Sequence, residues 1–231
     1  MEPHRIAELL HPFLSAPLSD HQLQNISTYI DILFRWNARI NLTAVGQPEE
    51  IVTRHFGESL FAAGHLFSQP ELHGATVVDP RPPKPSAAFE QSGATHSTAL
   101  IDVGSGAGFP GIPIKIYSPH IHLTLIESNQ KKATFLREVS RALTLTDVNV
   151  FASRAEDFSS FGDIVTLRAV ERFQDALPIA ARLVAPTGRL ALFISRRQID
   201  SLPDLAPPFR WLEPTTIPLS ESRVLLIGQR D

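Results

Sequence analysis

Hydrophobic and polar positions follow two different rhythms along this chain. In its first third the rhythm is helical. Leu23, Ile26, Ile30 and Leu33 recur at three- and four-residue steps, and Tyr29 and Phe34 widen the stripe. Ser19 stands three residues before Gln22, a capping-box pattern that starts this helix. A shorter helix is expected over 5–14. At 35–43 the stripe breaks into Arg-Trp-Asn-Ala-Arg-Ile-Asn-Leu-Thr. Two Asn, a Thr and a Trp predict a structured turn whose amide side chains bond the backbone. Pro48-Glu49-Glu50 then opens a further helix, because proline suits the first turn and carboxylates complement the dipole. Ile51, Val52, Phe56, Leu60 and Ala63 supply its buried face.

From residue 99 the rhythm changes to short apolar runs separated by helical stretches. Strands are expected at 99–103, 121–126, 148–151, 163–167 and 189–195, the last after the turn Pro186-Thr187-Gly188. Helices are expected at 111–116, 130–143 (capped by Ser128 or Asn129) and 172–184. Two further strands, at 210–213 and 223–227, read as an antiparallel pair at the sheet edge. Repeated β-α units imply a parallel sheet with right-handed crossovers. The expected fold is α/β: a doubly wound, mostly parallel Rossmann-like sheet with an antiparallel C-terminal strand and an N-terminal helical extension. Between the two rhythms, 70–98 is rich in Pro, Ser, Gly, Thr and Ala and buries too little to offset its ordering entropy. The organisation expected is therefore a helical extension at 1–69 packed on the core, an exposed mobile insertion at 70–98, and a sheet domain at 99–231.

Composition narrows the function classes. The 231 residues are 43% hydrophobic, so a sizeable core can form, and the net charge of −3 gives no general attraction to polyanions. RNA binding would need a local basic patch. The absence of cysteine excludes disulfides, thiolate metal sites and thiolate nucleophiles. No apolar run approaches the roughly 20 residues of a membrane span, and the first residues show no signal-peptide core. A soluble, cytoplasmic monomer with no membrane partner is the default expectation. The nine histidines are scattered, His120-x-His122 included, so no metal site is expected.

The chemistry concentrates at 99–111, Ala-Leu-Ile-Asp-Val-Gly-Ser-Gly-Ala-Gly-Phe-Pro-Gly. Two frames fit these glycines. Gly106, Gly108 and Gly111 match the dinucleotide pattern G-x-G-x-x-G, but start two residues after the strand ends at Gly104, and Pro110 lacks an N–H. In the other frame, Asp102-Val103-Gly104-Ser105-Gly106-Ala107-Gly108 resembles motif I of class I S-adenosylmethionine-dependent methyltransferases. Glu127, at the end of the second strand, is the ribose-binding acid in either reading. Ala155-Glu156-Asp157, after the third strand, lies where methyltransferases contact the adenine, and this tips the balance to S-adenosylmethionine. Each acid taken alone reads as a solvated loop carboxylate.

The likeness extends further. Trp36-Asn37-x-x-Ile40-Asn41-Leu42-Thr43, Arg54-His55-x-x-Glu58-Ser59, the 102–111 loop, Ser153-Arg154-Ala155-Glu156 and Arg168-Ala169 occur in this order. Together they resemble the bacterial ribosomal RNA small subunit methyltransferase G family, also called glucose-inhibited division protein B. The resemblance implies methyl transfer from S-adenosylmethionine to N7 of a guanine in small-subunit (16S) ribosomal RNA, with that RNA or the ribosomal particle as partner. It assigns cofactor binding to Gly104, Phe109, Ala155, Glu156 and Arg168. Gly106, Gly108 and Glu127 join them by the wider methyltransferase pattern. Segment 70–98 is longer than the family's connection. The family's Lys-Gly near the end of the fifth strand is replaced by Ser195-Arg196-Arg197, so Arg196 or Arg197 would carry that charge.

Arg168 and His55 are the candidates for a direct catalytic role. Arg54, His55, Lys131, Lys132, Arg137, Arg196 and Arg197 are the candidate RNA contacts. Guanine N7 has a free lone pair, so placement and electrostatics can carry the reaction. Two other classes remain open at this stage: a non-catalytic RNA- or ribosome-binding module on the same fold, and an NAD-linked oxidoreductase.

Overall fold

The computed structural model describes residues 1–67, 97–170, 172–200, 202 and 208–230. The insertion expected at 70–98 lies outside the described residues except for its last two. Five parallel strands form the centre: β1 (Ala99–Val103), β2 (His122–Ile126), β3 (Val148–Phe151), β4 (Gly162–Arg168) and β5 (Val184–Ser195). Three antiparallel strands follow, β6 (Phe209–Trp211), β7 (Thr215–Thr216) and β8 (Arg223–Arg230). The sheet order is β3-β2-β1-β4-β5-β8-β6, with β7 also paired to β8. The chain moves outward from β1 to β3 and then returns to the other side of β1 with β4. This reversal leaves a crevice beyond the carboxyl ends of β1 and β4, where open α/β sheets bind ligands.

Alternate residues along each strand feed two cores. Leu100, Leu123, Leu125, Ile164, Ala191, Phe193 and Leu225 face one side, and Ile101, Val103, Val165, Leu167, Leu190 and Leu192 face the other. The second side is covered by α7 (Phe173–Arg182). The first is covered by α5 (Gly111–Tyr117), α6 (Gln130–Ala142) and the N-terminal helices. Those are α1 (Pro3–Leu10), α2 (Asp20–Asn37) and a helix that begins as α3 (Pro48–Glu50), widens to π geometry over Ile51–Gly57 and ends as α4 (Glu58–Phe67). Ile26, Tyr29, Ile30, Leu33, Phe56 and Leu60 join one continuous apolar cluster with Phe109, Ile112, Phe135 and Leu136. Polar ties also cross this junction. Gln22 Nε2 donates to Ile116 O at 3.0 Å, and Trp36 Nε1 donates to Glu138 Oε2 at 3.0 Å.

The expected local signals appear at several helix starts. Ser19 and Gln22 form the capping box of α2, and Asn129, rather than Ser128, caps α6 by accepting from Lys131 and Lys132 N–H. Asn37 ties the turn after α2. Its Oδ1 accepts from Leu42 N and Thr43 N, and its Nδ2 donates to Thr43 O.

Several boundaries differ from expectation, among them the first helix, which is Pro3–Leu10, and β8, which runs on to Arg230. The turn at Pro186-Thr187-Gly188 is absorbed within β5, which already pairs at Val184 with Gly162 and shifts register before Ile164. The helix expected over 172–184 stops at Arg182 for the same reason. The C-terminal edge holds three strands rather than a pair, because Thr215–Thr216 also pair with β8.

Candidate active site

The crevice at the carboxyl ends of β1 and β4 is a cavity of about 1130 Å³. Gly104, Ser105, Gly106, Ala107 and Phe109 form its floor. Glu127, Ser128, Asn129, Lys132 and residues 153–156 wall one side, and Thr43, Arg54, His55 and Arg168 wall the other.

The glycines of the loop have different duties. Gly104, Gly106 and Gly108 all have positive φ, +69°, +56° and +86°, where a side chain is strained. A Cβ on Gly106 would meet only Gly104 O, at 3.8 Å, so the room it leaves belongs to the cavity. A Cβ on Gly104 would press on Val170 Cγ1 at 2.9 Å. Gly108 faces away from the ligand side. A Cβ there would collide with the Tyr29 hydroxyl and with Ile112 Cδ1 at 2.7 Å. Gly111 packs on Leu125 and Asp102. In the dinucleotide frame Gly108 would have to admit a pyrophosphate, and here that space is filled by Tyr29.

The loop is braced from behind. Tyr29 donates its hydroxyl to Ala107 O, and its ring lies parallel to Phe109 at 5.4 Å. His55 stacks on Phe109 at 4.8 Å. Phe109 thus sits between two rings contributed by the N-terminal helices. Burial, reinforced by the charge of Asp102, holds the Tyr29 phenol well above its ordinary range. Asp102 itself is buried beneath the loop, accepting from Thr166 Oγ1 at 2.7 Å and Gly111 N at 3.3 Å. Burial pushes its carboxyl up to about 6 against those donors.

Glu127 is oriented before any ligand arrives. Its Oε2 accepts from Gly106 N at 2.9 Å and its Oε1 from Asn129 N at 2.8 Å. Each oxygen keeps a lone pair for a hydroxyl donor. Ala155 and Glu156, on the short 3₁₀ turn Ala155–Asp157 after β3, line the same wall. A carboxylate with free lone pairs, a floor left open at Gly106 and a second acid one strand further out fit the ribose, the methionine part and the adenine of S-adenosylmethionine.

The opposite wall is a buried charge network. Arg168 Nη2 donates to Glu58 Oε2 at 2.9 Å and to Arg54 O at 2.9 Å, and lies 3.1 Å from His55 Nδ1. Glu58, only 2% exposed, reaches from its other oxygen to Arg223 Nη2 at 2.7 Å, out of line with the N–H. One acid on α4 therefore holds an arginine from β4 and another from β8. Since a guanidinium only donates, His55 Nδ1 must accept, which leaves the proton on Nε2. That nitrogen is 2.8 Å from Thr43 Oγ1. Burial, then the charges of Arg168, Arg54 and Arg223, lower the His55 pKa to about 3, so the ring is neutral.

The candidate RNA contacts do not form one patch. Arg54 and Lys132 line the cavity; Arg54 is half-exposed and paired with Glu50 at 3.2 Å. Lys131 is exposed in the first turn of α6. Arg137, also on α6, reaches Val150 O at 3.5 Å, away from the cavity. Arg196 and Arg197 are exposed on α8 (Arg196–Ile199), just past β5, with Arg196 bonded to Thr216. His55 needs correcting as a phosphate contact. It is 9% exposed, neutral and committed at both nitrogens. Among the described residues no cluster of His, Asp and Glu is suited to a metal ion. Among the described residues, no helix is long and apolar enough to cross a membrane.

Sequence reading missed Tyr29, Thr43 and Arg223, and gave Glu58 no role. Glu58 did carry a signal, since an acid set among Phe56, Leu60 and Ala63 must be buried with a partner.

Several relatives of this chain bear one name. A protein from Bacillus pumilus called ribosomal RNA small subunit methyltransferase G is 33% identical over 177 residues, covering 74% of this chain and 63% of that protein. One of the same name from Alkaliphilus metalliredigens is 39% identical over 140 residues, 61% of this chain and 48% of its own length. The chain thus spans less than two thirds of either. A third, from Roseiflexus castenholzii, is 34% identical over 223 residues, 91% of this chain and 84% of that protein. The family model described as "rRNA small subunit methyltransferase G" matches residues 22–79 and 87–203, which takes in the bracing helix, the glycine loop and both walls of the cavity. On that match, the chain belongs to the rRNA small subunit methyltransferase G (GidB) family.

Proposed function

We propose that this chain transfers a methyl group from S-adenosylmethionine to N7 of a guanine in small-subunit (16S) ribosomal RNA, acting as a cytoplasmic monomer. The observation that carries the reading is the two-sided cavity. Its β2–β3 wall offers the acids Glu127 and Glu156 over a loop left open at Gly106, and its β4 wall offers neutral and cationic donors. At about 1130 Å³ it exceeds the roughly 300–1,000 Å³ of a pocket for one small ligand, leaving room for a base beside the methyl donor.

S-adenosylmethionine supplies an electrophilic methyl sulfonium when bound. Glu127 would fix its ribose, and the backbone of Gly104 and Gly106 would pass close to its methionine part. Phe109, clamped between Tyr29 and His55, keeps that floor rigid. Arg54 and Lys132 at the mouth would meet the RNA backbone. Guanine N7 would take the methyl group with its own lone pair as the methyl–sulfur bond breaks and the neutral thioether leaves, so no residue has to remove a proton first. The demand on the protein is in-line placement.

The test is a methylation assay with S-adenosylmethionine on small-subunit RNA or particles lacking the mark, followed by nucleoside identification. The expected product is 7-methylguanosine. Another methylated nucleoside, or cofactor binding without transfer to either RNA or particles, would overturn the reading.

A further inference from the structure

The Thr43 hydroxyl has a hydrogen-bonding state fixed by its neighbours. Its oxygen accepts from His55 Nε2–H at 2.8 Å and from Val45 N at 3.1 Å. The first assignment follows from Arg168, which can only donate to the other ring nitrogen. With both lone pairs taken, the remaining capacity of this hydroxyl is its proton. Among the described residues nothing accepts that proton, and Thr43 lines the cavity. Its backbone is held as tightly, with Asn37 bonding both its N–H and its carbonyl. The relay Arg168–His55–Thr43 thus ends in a preorganised, donor-only group on the β4 wall, across the cavity from Glu127.

We propose that Thr43 is the specificity-determining residue for the methyl acceptor, donating to O6 of the target guanine. This rests on the function proposed above. Guanine shows two adjacent acceptors on this edge, N7 and O6, whereas adenine carries an amino donor at position 6. A donor placed on O6 holds the base while leaving the N7 lone pair free to attack. The same donor meets the adenine amino group proton to proton and rejects it. His55 and Arg168 are positioning residues in this scheme, because they set the direction of the Thr43 hydroxyl. His55 stays neutral there because Arg54, Arg168 and Arg223 face it, with Glu58 compensating the two latter charges.

The test uses the full chain and small-subunit RNA in which the mapped target guanine is replaced, by ligation, with 2-aminopurine, which keeps N7 and lacks O6. Wild-type protein should methylate the guanine substrate with a kcat/KM roughly ten- to hundredfold above the 2-aminopurine substrate, the factor for one unsatisfied hydrogen bond. Thr43→Val should lose a similar factor on guanine and show a ratio near one between the two bases. Thr43→Ser, which keeps the hydroxyl, should restore the preference. If valine is not accommodated, Thr43→Ala serves. Equal activity of the wild type on both bases overturns the proposal without any variant, and so does a Thr43→Val protein that keeps the preference. Failure of the wild type to methylate guanine N7 at all is a different result, and would strike the function instead.

Discussion

Glu58 on α4 and Arg168 at the end of β4 are 2.9 Å apart, with the glutamate 2% and the arginine side chain 10% exposed. Removing one member of a buried pair leaves the other charged and unpaired, typically at a cost of about 3–5 kcal/mol. Here two arginines share the one acid, so Glu58→Gln should destabilise the protein by at least about 3 kcal/mol. Urea unfolding of the variant measures this. A loss below about 1 kcal/mol would mean that water reaches the network and replaces the carboxylate.

The glycine loop yields a paired prediction. At Gly106 an added Cβ enters the cavity and costs about 1–2 kcal/mol of left-handed backbone strain. Gly106→Ala should therefore remain folded and lose most of its S-adenosylmethionine affinity by calorimetry. At Gly108 the Cβ collides with Tyr29 and Ile112, so Gly108→Ala should fail mainly in stability. The opposite pattern, with Gly108→Ala stable but unable to bind, would assign the ligand to the wrong face of the loop.

Acid should weaken the fold through His55. Its pKa falls from 6.5 to about 3 on folding, so between those values the unfolded chain binds the extra proton. Stability contributed this way is present above pH 6.5 and is lost progressively as pH falls toward 3. Asp102 has the opposite sign, because its pKa rises from 3.8 to about 6 and protonation between those values favours the folded state. Comparing wild type with His55→Asn by urea unfolding from pH 7.5 to 4.5 cancels the Asp102 contribution. The wild type should lose stability relative to the variant as pH falls; parallel curves would refute the neutral, buried state of His55.

Binding of RNA should depend steeply on salt. Arg54 and Lys132 line opposite walls of the cavity, Lys131 is exposed in the first turn of α6, and each phosphate contact adds about 0.7–0.9 to the slope of log K against log salt. Arg54→Ala should reduce that slope by close to one contact in a filter-binding titration. An unchanged slope would remove Arg54 from the interface.

What the sequence disclosed and withheld divides along the distance between partners. The Ser19 and Asn129 caps and the Asn37 turn rest on neighbours a few residues apart, and the central strands show as short apolar runs, so pattern alone exposes them. The frame of the glycine loop was readable because Gly104 closes an apolar run. The buried network was not, since residues 58, 168 and 223 meet only after the four crossovers from β1 to β5. Tyr29 shows why a periodic stripe conceals function. Its ring packs as any core residue would, and only its hydroxyl, bonded to Ala107 O, reveals the brace. The residue most misread was His55, whose charge-friendly neighbours in sequence become its desolvating walls in space. The long β5 was hidden for a simpler reason: Pro, Thr and Gly mark a turn locally, while pairing with β4 carries the strand through it.

Arg223 gives the site a place in time as well as in space. It lies on β8, the last strand, and that strand can join the sheet only after every earlier one has left the ribosome. At synthesis rates of roughly 5–20 residues per second, Arg168 and Glu58 spend several seconds without this third partner. Nascent chains therefore pass through a stage in which Glu58 has Arg168 as its one arginine partner. A chain cut short before β8 would keep every residue that lines the cavity and lose the second arginine that balances Glu58.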